Sequence, residues 1–119
     1  MDEAKIKSVV HCFYGRVRQD PLLGPIFNGI IADWDHHLGL LGDFWSSVML
    51  TSGRYKGNPM ATHLKHIPLL TPEAFQRWLA LWEATTADIL PPDEAAEMLS
   101  RARRIAASLQ LGIQHRAAA

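Results

Sequence analysis

Large apolar residues return every three or four positions in each stretch between the proline and glycine breaks, and this period constrains the fold more than any other feature. From residue 3 to 19, Ile6, Val9, Val10, Phe13, Tyr14 and Val17 mark one face of a helix. Asp20-Pro21 ends it, because proline disfavours helical geometry in the residue before it. A second helix, capped by Asp33 or Asp35 and ending near Thr51, carries Trp34, His37, Leu38, Leu41, Phe44, Trp45 and Val48. Only a short helix fits between Pro59 and Pro68. Thr71-Pro72-Glu73 opens another, with Phe75, Trp78, Leu79, Trp82 and Ile89. Pro91-Pro92-Asp93 opens the last, where Met98, Leu99, Ala102, Ile105, Ala106, Leu109 and Ile113 repeat before a frayed tail from Arg116. The stretch from Pro21 to Gly29, two prolines and two glycines among large apolar residues, is expected to be an ordered corner with Phe27 turned inward. Residues 52 to 59 have loop chemistry. No alternating stretch argues for a strand, so the class is all-α, with four main helices and one short one.

At 119 residues and 13.3 kDa the chain is expected to form one domain, 1–119. Twelve basic residues balance 12 acidic ones and the isoelectric point is near 7.0, so no cationic field exists to draw nucleic acid. No apolar run approaches the ~20 residues of a membrane span. The opening Met1-Asp-Glu-Ala-Lys is too acidic for a signal peptide, and a cytoplasmic protein away from membranes is expected. Cys12 is the single cysteine, which excludes an internal disulfide and a Cys-x-x-Cys pair; a buried, inert thiol is expected.

Six histidines invite a metal reading, and each is weighed by the face it occupies. His11 and His115 belong to the surface. His36 and His37 lie about 100° apart on a helix, and only His37 shares the apolar stripe with Leu41 and Trp45. His63 falls between Met60 and Ile67 on the apolar face of the short helix, whereas His66 sits with Thr62 and Lys65 on the polar one. Either inward histidine alone is ordinarily a half-buried residue satisfied by a backbone carbonyl. Together they point from two helices into one apolar, aromatic interior. Hydrolytic zinc is disfavoured, since there is no His-Glu-x-x-His and no third inward ligand at zinc spacing. A flat hydrophobic cofactor with one axial ligand suits the pair, and haem fits that description.

The motifs Phe13-Tyr14-Gly-Arg-Val-Arg-Gln-Asp-Pro-Leu-Leu-Gly-Pro-Ile-Phe27, Trp34-Asp-His-His37, Phe44-Trp45-Ser-Ser, Tyr55-Lys-Gly-Asn-Pro59 with His63, and Phe75-Gln-Arg-Trp78-Leu resemble a bacterial truncated haemoglobin of group III. The resemblance covers nearly the whole chain in order and spacing. It implies a truncated globin fold, two helices packed over two around haem b. It also implies His63 as the proximal metal ligand and Tyr14, His37 and Trp78 on the distal face, holding a bound ligand by hydrogen bonds. Phe27 would stack on the ring and Leu41 would floor the distal pocket. Phe44, Trp45, Met60, Leu64 and Ile67 would be further walls. Tyr55, Arg54, Lys56, Lys65 and His66 are the candidates for the propionates. The His36-His37 doublet leaves open which imidazole faces the haem, since a roll of the helix exchanges them, and His37 could itself take the sixth iron position. The implied function is binding of O₂ and other diatomic ligands, NO and CO. The alternative is a haem enzyme, a nitric oxide dioxygenase or peroxidase. That role needs an external electron donor, because the chain has no flavin or nicotinamide motif. A monomer or weak dimer is expected.

Overall fold

The computed structural model describes residues 1–64, 66 and 69–118, and among these six helices follow one another. The first, α1 (Glu3–Gln19), starts where the Asp2 carboxylate accepts the Lys5 N–H at 2.8 Å. It buries the whole expected stripe, Ile6, Val9, Val10, Phe13, Tyr14 and Val17. It stops at Asp20, whose extended backbone precedes Pro21 as the sequence requires.

The expected corner contains a helix instead. Leu23–Ile30 form α2, because the Asp20 carboxylate accepts the backbone N–H groups of Leu22 and Leu23 at 3.1 and 2.9 Å and so caps the turn. Pro25 is tolerated there: in a first turn the N–H it lacks would have no intrahelical acceptor. Gly24 lets α2 fold back onto the end of α1, since a Cβ at that position would lie 2.8 Å from the Arg18 carbonyl oxygen.

Asp33, not Asp35, caps α3 (Trp34–Leu50), its carboxylate accepting the His36 N–H at 3.1 Å. The helix closes at Thr51 in the left-handed region, φ 52°. After a loop come α4 (Pro59–Leu64) and α5 (Pro72–Ile89), the latter opened by Thr71 Oγ1 accepting the Ala74 N–H at 3.2 Å. The last helix, α6 (Pro92–Ala118), runs through the alanines where fraying was expected, in keeping with alanine's helix propensity.

α1 packs against α2, α3 and α5, and α6 packs against α5 and α4, so α1 and α3 lie over α5 and α6. Aromatic rings fill the crossing. Trp82 is fully buried, stacks on Trp45 with centroids 4.4 Å apart, and donates its indole N–H to the Met98 carbonyl of α6 at 3.2 Å. A second apolar cluster, Phe75, Ala106, Leu109 and Ile113 with Met60 against it, seats α4 on α6. Cys12 is not buried as expected. One position off the α1 stripe, it is half-buried and lines a surface groove with Arg16, Gln19 and Arg77. Among the described residues no helix is long and apolar enough to cross a membrane.

Asp20 ties the layers together, its carboxylate accepting Arg77 Nε of α5 at 2.7 Å. Burial alone would raise its pKa. The Arg77 hydrogen bond, the Leu23 and Leu22 N–H groups and the Arg77 charge outweigh burial and hold it below the ordinary value of 3.8. A carboxylate depressed in the fold adds stability above its unfolded pKa and loses it as pH falls through the folded one. Thermal melts should therefore show wild type losing stability on acidification below about pH 4, with a flatter acid limb for Asp20→Asn. Gly24→Ala should lower stability by about 1–3 kcal/mol in denaturant melts, since the added methyl meets rigid backbone.

Candidate functional site

α4 is two turns long, and its one histidine is held from within. His63 Nδ1 lies 2.6 Å from the Pro59 carbonyl oxygen, so this nitrogen carries the proton and donates it. Nε2 is the ring nitrogen left to bind a metal. The helix beneath is fixed by Met60. The Met60 sulfur and methyl lie over Gly112 of α6, where a Cβ would make them shift.

His37 approaches from α3, on one face with Leu41 and Phe44, and all three are half-buried. Burial pushes its pKa below the ordinary 6.5, with the charges of His36 and then of His63 acting in the same direction. His37 is therefore neutral at pH 7, and it shares an electrostatic environment with a histidine on another helix. Among the described residues α3 and α4 are not a closely packed pair, for α3 rests on α1 and α4 on α6. Two imidazoles thus face one another's field across helices that do not touch closely.

Tyr14 lies beside His37, ring centroids 6.3 Å apart and perpendicular. Only 4% exposed, it has its pKa pushed up to about 12 by burial, against which a hydrogen bond from Trp78 acts. Indole nitrogen is a donor only, so Trp78 gives its N–H to the phenol oxygen and the Tyr14 proton remains available to another acceptor. Phe27 closes another side, 5.8 Å from Tyr14.

The structure thus brings Tyr14, Phe27, His37, Leu41 and Trp78 to one region. Two expected walls are placed differently. Trp45 is 1% exposed and stacked on Trp82, one layer behind in the core, and Met60 faces α6. Tyr55 packs edge-on against Phe44 at 5.3 Å, and its N–H donates to Ser47 Oγ. Of the propionate candidates, Arg54 is turned toward Glu3 at 3.5 Å, Lys56 is exposed, and His66 is half-buried one turn after His63. Ile67 and Lys65 lie outside the described residues, as does the Leu64 side chain. Trp34 was missed as a site residue. It lies 5.8 Å from His37 and 6.1 Å from Tyr14, and its i, i+3 spacing to His37 was the available signal.

No family model matches the chain. A group 3 truncated haemoglobin of Campylobacter jejuni, ctb, is 33% identical over 114 residues, covering 92% of this chain and 89% of the relative. The crystal structure of a group III truncated haemoglobin from Campylobacter jejuni superposes with a TM-score of 0.85 at 33% identity, over 95% of this chain and 91% of that one. The chain belongs to the group III truncated haemoglobins. For this truncated haemoglobin, haem is therefore the group against which the donor set is to be tested. It fits: a histidine nitrogen whose partner nitrogen is already bonded, a neutral imidazole beside a protonated phenol, and half-buried aromatic and aliphatic side chains.

Of the two tyrosines of this truncated haemoglobin, Tyr14 should resist ionisation until about pH 12. An alkaline titration of tyrosinate absorbance checks this, and Tyr14→Phe should remove that late phase.

Proposed function

We propose that this globin binds O₂ and related diatomic ligands, NO and CO, at a ferrous haem b, with His63 as the axial ligand and Tyr14, His37 and Trp78 on the opposite face. The observation that carries the reading is the His63 Nδ1 hydrogen bond to the Pro59 carbonyl, which orients the ring and leaves Nε2 as the nitrogen that can bind a metal. Haem, when bound, supplies the iron that takes the ligand. The chain's own residues decide how firmly that ligand is kept. Trp78 orients the Tyr14 hydroxyl by donating to its oxygen, so the phenol O–H points its free proton to a partner in the cleft. Burial keeps Tyr14 protonated and His37 uncharged at neutral pH, and low polarity strengthens each hydrogen bond they make. Phe27 and Leu41 exclude water from the same space.

Tyr14→Phe removes one such donor without changing ring packing. Stopped-flow measurement should show O₂ dissociation faster by roughly tenfold, the effect of about 1.4 kcal/mol in one hydrogen bond. An unchanged rate would overturn the distal assignment.

The second reading is an enzyme, a nitric oxide dioxygenase or peroxidase served by an external electron donor. Several polar side chains gathered in one buried region favour it, because a ligand held tightly suits reaction better than delivery. Mixing the oxygenated protein with NO separates the two: rapid conversion to ferric protein supports the enzyme, and slow or absent conversion leaves ligand binding.

A further inference from the structure

Trp34 opens α3 three residues before His37, so both project from one side of the helix. Its ring stands perpendicular to His37 at 5.8 Å and lies 6.1 Å from Tyr14, and the Tyr14–His37 distance of 6.3 Å completes a triangle of rings. Two other helices grip Trp34 from outside. Its Nε1–H donates to Asn28 Oδ1 of α2 at 3.2 Å, the Arg18 guanidinium of α1 lies 4.7 Å from its ring centroid, and Asn28 Nδ2 donates to the Arg18 carbonyl at 3.3 Å. Arg18 and Asn28 are exposed, so this arrangement is not a by-product of core packing.

The Asp33 cap bonds to the helix's own backbone and marks where α3 begins, and Trp45, buried on Trp82, holds the helix three turns further on; neither sets the angle of the first turn. Roll is what matters here. His36 and His37 are adjacent, and a rotation of about 100° exchanges them. In the structure His36 is exposed and His37 faces Tyr14.

We infer that the Trp34–Asn28–Arg18 clamp sets the angle of the first turn of α3 and thereby holds His37 rather than His36 as the imidazole beside Tyr14, which makes Trp34 a positioning residue for the ligand pocket. For its ligand readout the inference rests on the haem reading above; the geometric readout does not. An apolar contact alone would permit sliding. A directed N–H bond to a neighbouring helix, with a cation on the ring face, fixes an angle.

The test compares wild type with Asn28→Ala, Asn28→Asp and His37→Ala. Nuclear Overhauser contacts between the Tyr14 and His37 rings are measured with and without haem, and the infrared stretch and association rate of CO are measured in the haem-loaded protein. Asn28→Ala should weaken the ring contacts, move the CO band toward that of His37→Ala and change CO association by roughly threefold or more, within the worth of one net hydrogen bond. Asn28→Asp keeps the acceptor oxygen and should restore the wild-type band. Adding His36→Ala should be silent in wild type and visible in Asn28→Ala. Unchanged ring contacts and an unchanged CO band in Asn28→Ala overturn the inference. A wild type without Soret absorption overturns the haem reading instead, and the ring contacts still decide the clamp.

Discussion

Phe13 joins the two layers of helices. Its ring meets Tyr14, Trp78 and Trp82 edge-on, with centroid distances of 4.7, 5.6 and 4.8 Å, at the place where α1 crosses α5. Edge-to-face contacts favour one mutual orientation of the rings, so they fix angle as well as separation. The next residue is Tyr14. Its placement follows from Phe13, and through the Trp78 hydrogen bond the orientation of its hydroxyl follows as well. The same aromatic block therefore supplies the core on one side and the polar pocket on the other.

The opposite side is built independently. α4 is too short to be stable alone, and it depends on Met60 lying over Gly112 of α6 beside Ile113 and Leu109. With the helix seated, His63 needs only its own i−4 carbonyl to orient its ring. One local arrangement lies in α1 and α5 and the other in α4 and α6, and the packing of α5 on α6 joins them. α3 rests on α1 and carries His37 beside Tyr14.

Much of this was legible in the sequence. The stripe from Ile6 to Val17, the Thr71 cap and the inward histidines all follow from helical period and capping chemistry, because each depends on residues within a few positions. What was missed depends on contacts between segments. The helix at Leu23–Ile30 needs the Asp20 carboxylate, which is itself held by Arg77 far along the chain. Periodicity places Trp45 on the His37 face, but the crossing with α5 draws its ring onto Trp82 instead. Met60 shares the His63 helix, yet the apolar cluster of Phe75, Leu109 and Ile113 on other helices is where it packs. The stripe favours His37, but the contact that holds the first turn of α3 at that angle, Trp34 to Asn28 of α2, lies on another segment and was not legible.

Chemical rescue at residue 63 tests the account most directly. In the proposed arrangement a small cavity and added imidazole can replace the side chain, since the Pro59 carbonyl and the rest of the cleft remain. His63→Gly should bind haem poorly and without a normal five-coordinate ferrous spectrum, and imidazole in the buffer should restore both binding and the Soret band toward wild type. A His63→Gly protein that holds haem with an unaltered ferrous spectrum in the absence of imidazole would contradict the account, because the iron would then be held by another residue.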